Sequence, residues 1–299
     1  MLRRRVLLIL ILGLFALPTQ AQLFIFASPT IANVPYNSEN PHPRHILDIY
    51  LPENENDEML PTLFLIHGGG YVFGNKRSVG GFAQRFADLG YAVVTPSYRL
   101  ALADPYPAPI EDLFCALAWT HENANQYNFD MTRLAIVGES AGANAAAMLT
   151  AIDDPAQLMT DCPYRLPENH TIRGVVAYYI YSDLSTCDCK EAKLASSMYL
   201  SVAPSDFESD SLAVVWGEAS PLVWLDGDEP PFLLLHGVND EIIEVSETLH
   251  FAEALTRWNI PHEMLLVDAR QHAFIADFAD PAAIQAADAV AVFLDEVLR

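Results

Sequence analysis

Apolar and polar positions along this chain fall into two alternating patterns. Five short, continuous apolar runs have the make-up of strands covered on both faces: Thr62–Ile66, Ala92–Pro96, Leu134–Val137, Gly174–Ile180 and Phe232–Leu235. A sixth, His262–Val267, reads as another strand. His45–Leu51 alternates apolar with polar residues and stops at Pro52, which predicts a half-buried strand near a sheet edge. Between the runs lie helical stretches. Gly80–Leu89 and Ser246–Trp258 are two of them, and Ile110–Asn125 is a third, with Leu113, Ala116 and Leu117 inward. A closing helix shows Ile284, Ala287, Ala291, Leu294 and Leu298 at helical spacing. Such alternation predicts an α/β fold, a mostly parallel central sheet with helices on both faces. No internal repeat interrupts it. Gln22–Pro43 reads as an irregular arm, and Pro155–Thr171 as a polar loop. Across Ser182–Asp228 the periodicity dissolves into acidic, Ser-rich sequence with scattered aromatics. An insertion of that length in a compact domain predicts a small helical cap.

One junction carries chemistry. The run Leu134–Val137 ends in Gly138-Glu139-Ser140-Ala141-Gly142, and an Ala-rich helical stretch follows at once. A strand turning straight into a helix forces its corner residue into strained angles. It needs small neighbours, and it lifts the serine hydroxyl out at the carboxyl end of the sheet. Ser140 is therefore the candidate nucleophile. A serine hydroxyl needs a base within hydrogen-bond reach, and in such sheets reactive groups sit on loops past the carboxyl ends of strands. Of the nine histidines, His272, directly after the last strand, fits best; His67 and His236 end strands but read as parts of glycine turns. The imidazole needs a carboxylate to fix its tautomer. Asp240, after the Phe232–Leu235 strand, supplies it and keeps the chain order serine, acid, histidine. Glu241 and Glu244 are its rivals. Amides to hold a developing oxyanion come from Gly69 and Gly70, in the run His67-Gly68-Gly69-Gly70, and from Ala141 after the nucleophile. Tyr71 and Phe73, just beyond the glycines, are candidate pocket walls, with core packing the equally good alternative.

Composition narrows the setting. The chain opens with three arginines, an apolar run from Val6 to Leu17 too short to span a bilayer, and a small-residue site ending at Ala21. Residues 1–21 are therefore predicted to be a signal peptide, and the remainder, 22–299, a single exported domain. Removing 21 of 299 residues, three arginines among them, leaves 278 and takes the formal charge from −23 to −26. So acidic a surface repels phosphate backbones and anionic lipids, which argues against nucleic-acid and membrane-surface partners. Export permits disulfides. Cys162 with Cys187 or Cys189 is the expected pair because both flanks read as loops, while Cys115 sits in an apolar helical pattern and reads as core. No second Cys/His pair stands near Cys187 and Cys189 at zinc spacing, so neither metal nor cofactor is expected.

Several segments, in order, resemble one family. They are Leu47-Asp48-Ile49-Tyr50-Leu51-Pro52, His67-Gly68-Gly69-Gly70, Ser97-Tyr98-Arg99-Leu100, Gly138-Glu139-Ser140-Ala141-Gly142, His236-Gly237-Val238-Asn239-Asp240 and Gln271-His272-Ala273-Phe274. Together they look like an α/β-hydrolase-fold carboxylesterase, in the branch of hormone-sensitive-lipase-like esterases and bacterial acetyl xylan/feruloyl esterases. The resemblance implies ester hydrolysis through an acyl-enzyme without a cofactor, on a small-molecule or polysaccharide-linked ester. Serine peptidases of the prolyl-oligopeptidase type share the fold, and a non-catalytic binding module on it is the remaining alternative. The family often has Asp where this chain has Ser97, a difference expected to affect packing only. The stretch 182–228 matches no cap of the family.

Overall fold

The computed structural model describes residues 27–53, 58–184, 190–201, 213–269 and 271–299. Eight strands form one sheet: β1 (Ile31–Pro35), β2 (Ile46–Tyr50), β3 (Leu60–Ile66), β4 (Ala92–Pro96), β5 (Phe129–Glu139), β6 (Gly174–Tyr178), β7 (Phe232–Gly237) and β8 (His262–Val267). Their order is β1-β2-β4-β3-β5-β6-β7-β8. The β1–β2 and β2–β4 pairs are antiparallel and every other pair is parallel. The helices are α1 (Gly80–Asp88), α2 (Ala108–Glu122), α3 (Ala124–Tyr127), α4 (Ala141–Ala151), α5 (Lys190–Leu200), α6 (Ala213–Glu218), α7 (Val245–Trp258) and α8 (Pro281–Val297). One face of the sheet packs against α2, α4 and α7, the other against α1 and α8. Cores on both faces explain the unbroken apolar runs: Leu134, Ala135, Ile136 and Val137 of β5 are all fully buried.

The register brings the reactive ends of the strands into line. Ile66 of β3 pairs with Gly138, Glu139 with Tyr178 of β6, and Gly237 of β7 with Val267 of β8. The residues that follow these positions therefore emerge along one rim. Glycine is required where β5 turns into α4. A Cβ on Gly138 would meet the Gly142 carbonyl oxygen at 2.1 Å, and one on Gly142 would meet the Ile66 oxygen at 2.3 Å. Both contacts are far inside van der Waals range, so helix and strand approach this closely only through bare backbone.

Five expectations from the sequence need correction. Strand β2 is not half-buried: Leu47, Asp48, Ile49 and Tyr50 are fully buried, Leu47 and Ile49 in the core on one face and Tyr50 in that on the other. The arm Gln22–Pro43 contains strand β1. Its residues are mostly exposed, its register shifts between Ile31 and Val34, and Asn33 takes a positive φ of 58°, so no clean alternation marks it. The loop after α4 contains a 3₁₀ turn, Pro155–Met159. The disulfide joins Cys115 to Cys162, with Cα atoms 5.5 Å apart, and not Cys162 to Cys187 or Cys189, two residues that lie outside those described. Cys115 is on α2 and Cys162 follows the 3₁₀ turn that packs against that helix, so the apolar setting of Cys115 hides a bridge. Finally, the inward face of α8 is Ala282, Ala283, Ala286, Val290, Phe293 and Leu294, and Ile284 is exposed. The helix is apolar nearly all round, so spacing alone leaves its phase open, and docking on the sheet buries the face that carries Val290 and Phe293.

Candidate active site

Ser140 sits between β5 and α4 with φ 54° and ψ −120°, a conformation that costs a non-glycine residue of order 1–3 kcal/mol. The surroundings hold it there. Its N–H donates to the Tyr178 carbonyl (2.9 Å), and its own carbonyl accepts from Ala143 and Asn144 at the start of α4. The Ser140 Oγ lies 2.8 Å from His272 Nε2, and His272 Nδ1 lies 2.7 Å from Asp240 Oδ2. The structure thus brings the three sequence-selected side chains into one hydrogen-bonded line. Glu241 and Glu244, the rival carboxylates, are exposed in the same turn, whereas the Asp240 side chain is fully buried.

Burial pushes the Asp240 carboxyl up, yet the result is a carboxyl held well below the usual range. Hydrogen bonds from His236 and His272, the charge of His272 and the Ile242 amide outweigh the burial. Both Ile242 and Ile243 amides reach its Oδ1, at 2.8 and 3.0 Å. His272 is steadied from the side by Tyr179, whose ring centroid lies 4.5 Å away. The Tyr179 hydroxyl donates to Glu139 Oε2 (2.8 Å), and Glu139 Oε1 accepts the Gly68 amide (3.2 Å).

That last bond ties the glycine run to the elbow. A Cβ on Gly68 would meet the Glu139 oxygen at 2.8 Å, and Gly69 and Gly70 take φ of 109° and 58°. Among the described residues no acceptor takes the Gly69 or Gly70 N–H. Ala141, first in α4, has no acceptor within its helix. All three residues line one cavity with Ser140 and His272. The loop is braced from behind: Arg44 donates to the carbonyls of Tyr98 and, at 2.7 Å, Gly74, while the Tyr98 hydroxyl donates to the His67 carbonyl (2.8 Å). Ser97 is buried, and its Oγ accepts the Lys76 amide, a packing role.

The cavity measures about 260 Å³. Its walls are largely apolar, and α5 of the 182–228 insertion supplies Leu194, Met198 and Tyr199. Tyr71 and Phe73 both line it, but differently. Tyr71 is buried, stacks on Tyr199 (3.9 Å between centroids) and donates to Asn144 Oδ1 at 2.6 Å, whereas Phe73 is 40% exposed. Asn144 in turn donates to the Tyr181 carbonyl (2.8 Å), linking α4 to the root of the insertion. Sequence reasoning missed Arg44, Asn144, Tyr179 and the burial of His236. Arg44, Asn144 and Tyr179 stand in no local motif that was picked out, whereas His236, in the segment His236–Asp240 at the end of a strand, gave a signal. Among the described residues no three His, Cys, Asp or Glu side chains cluster to hold a metal. No described helix is long and apolar enough to cross a membrane.

Mostly parallel sheet, strained serine elbow and glycine loop together define an α/β-hydrolase fold, and solved structures agree. Esterase B from Lactobacillus rhamnosis superposes with a TM-score of 0.76 at 21% identity, over 93% of this chain and 90% of that one. A carbohydrate esterase from gut microbiota gives 0.73 at 18% identity, over 91% and 98%. Within that fold, the chain belongs to the BD-FAE family, which matches residues 47–255. Esterase LipC of Mycobacterium tuberculosis is 29% identical over 270 residues, 86% of this chain and 63% of LipC. The chain spans about half to three-fifths of the length of the curated relatives it matches most fully.

Proposed function

We propose that this protein is an exported serine esterase that hydrolyses carboxylic esters of short acyl chains through an acyl-enzyme. One observation carries the reading: an unbroken line from Asp240 through His272 to the Ser140 hydroxyl, ending beside unclaimed backbone amides. In the reaction, His272 Nε2 takes the Ser140 proton as Oγ bonds to the ester carbonyl carbon. The amides of Gly69, Gly70 and Ala141 hold the oxyanion, each worth on the order of 3–4 kcal/mol of barrier. Asp240 keeps Nδ1 protonated and stabilises the imidazolium. As the carbon–oxygen bond to the alcohol breaks, Nε2 returns the proton to the leaving oxygen. Water then loses a proton to Nε2 and attacks the acyl-enzyme, and the acid departs as Oγ recovers its hydrogen.

A cavity of about 260 Å³, just below the usual range of small-molecule sites, suits a short acyl group, with Tyr71 and Phe73 as its contacts. The likeness to an esterase and a carbohydrate esterase supports small-molecule or polysaccharide-linked esters as substrates. Ser140→Ala is expected to lower turnover of p-nitrophenyl acetate by about a millionfold, the scale measured for a serine nucleophile in subtilisin, and to abolish fluorophosphonate labelling. Retained turnover in purified Ser140→Ala protein refutes the assignment.

A further inference from the structure

We propose that His236 is a positioning residue that fixes the Asp240–Ile243 turn, and with it the carboxylate behind His272; the inference rests on the esterase reading above. His236 is the last residue but one of β7, is fully buried and does not line the cavity. Its Nε2 faces two acceptors, the Ile243 carbonyl at 3.0 Å and Asp240 Oδ2 at 3.5 Å, and no donor among the described residues. That nitrogen therefore carries a proton. Nδ1 lies 2.7 Å from the Oγ of Thr248, a fully buried residue in the first turn of α7. A neutral imidazole protonated at Nε2 leaves Nδ1 bare, and the Thr248 hydroxyl donates to it. The Thr248 hydroxyl, able to donate or accept, anchors the ring from the other side, while the two acceptors on Nε2 select the tautomer.

The turn is what holds the carboxylate. Asp240 Oδ1 takes the amides of Ile242 and Ile243, and Oδ2 faces His272 Nδ1 and, more distantly, His236 Nε2. Two of the four donors belong to the segment whose carbonyl His236 ties down. Without the His236 N–H, a buried carbonyl is left unpaired and the amides on Oδ1 lose their anchor. Among the described residues, Tyr179, just after β6, lies edge-on to His236 at 6.5 Å, and Thr248 reaches it from α7. Neither replaces its donor. The chain Thr248–His236–turn–Asp240–His272–Ser140 thus links a helix on one face of the sheet to the reacting hydroxyl.

The test compares steady-state kinetics on p-nitrophenyl acetate for wild type, His236→Leu, His236→Gln, Thr248→Val and Thr248→Ser. Gln keeps an N–H near the position of Nε2, and Ser keeps the hydroxyl. His236→Leu and Thr248→Val are expected to lose kcat roughly ten- to hundredfold, the scale seen when the hydrogen-bond partners that orient metal-binding side chains are removed. That is less than the roughly ten-thousandfold cost of disabling the carboxylate itself. KM is expected to hold within about threefold, with Gln and Ser restoring most of the rate. Full kcat in Thr248→Val, whose shape is unchanged, overturns the proposal even if His236→Leu fails to fold. So does a loss carried wholly by KM, or a His236→Gln variant no better than His236→Leu. Nitrogen-15 spectra of histidine-labelled protein are expected to place the His236 proton on Nε2 with Nδ1 bare, and the opposite tautomer overturns the proposal. If wild type neither turns over the ester nor takes fluorophosphonate, the esterase reading falls, while the tautomer result still decides the role of His236 in the turn.

Discussion

Acid should unfold this protein early, and one buried imidazole sets much of the slope. His67 is fully buried just after β3, with Nδ1 2.7 Å from the Gly68 carbonyl, its ring stacked on Tyr98 at 4.2 Å and its Nε2 without a partner among the described residues. Burial, with the Arg44 charge adding to it against the Gly68 hydrogen bond, pushes it down to about 3. In the unfolded chain a histidine titrates near 6.5. The folded value is depressed, so between these limits the unfolded state binds a proton that the native state refuses. Stability is complete above about pH 6.5 and falls by about 1.4 kcal/mol for each unit below it, until the folded value is reached. From pH 6.5 to 4.5 that amounts to about 3 kcal/mol, a large part of the 5–15 kcal/mol typical of a domain. The variant His67→Asn keeps a donor for the Gly68 carbonyl and cannot titrate. Urea unfolding of both proteins at pH 7 and pH 4.5 isolates the effect, because His121, lowered to about 4, and Asp240 are common to the two. Wild type is expected to lose about 3 kcal/mol more than the variant across that interval. Equal losses would refute the reasoning, and with it the picture of a neutral imidazole sealed under the glycine loop.

Two further outcomes are expected. Replacing both Cys115 and Cys162 by serine opens a link across 47 residues, which the chain-entropy estimate puts at about 4 kcal/mol, with roughly 2–4 the usual yield; a urea midpoint unchanged from wild type would show that the bridge does not stabilise the fold. The proposed export predicts that protein recovered from the medium or periplasm of an expressing bacterium begins at Gln22, read by N-terminal mass spectrometry; intact Met1–Ala21 on exported protein would rule out that cleavage.

Much of the fold was legible because sandwiching a sheet between two helical layers leaves no room for polar residues in its central strands. Hence the apolar runs of β3 to β7 stand out. Ser140 was legible for a local reason as well: only glycine fits at 138 and 142, where helix and strand backbones meet. Asp240 and His272 followed from position, since each comes directly after a strand whose carboxyl end shares the rim with β5. Strand β1 was hidden by its exposed, bulged edge, and the α8 face by apolar residues nearly all round the helix.

The amino-acid order by itself determined which residues stand at strand ends, because hydrophobic periodicity and turn chemistry act over a few neighbouring positions. Only the tertiary structure decided what those residues touch. Cys115 meets Cys162 because a 3₁₀ turn lies on α2, Arg44 reaches Gly74 across 30 positions, and Thr248 finds His236 because α7 docks beside β7. Such contacts depend on how layers stack and how strands register. Those are properties of the whole assembled sheet, and no short stretch of chain encodes them.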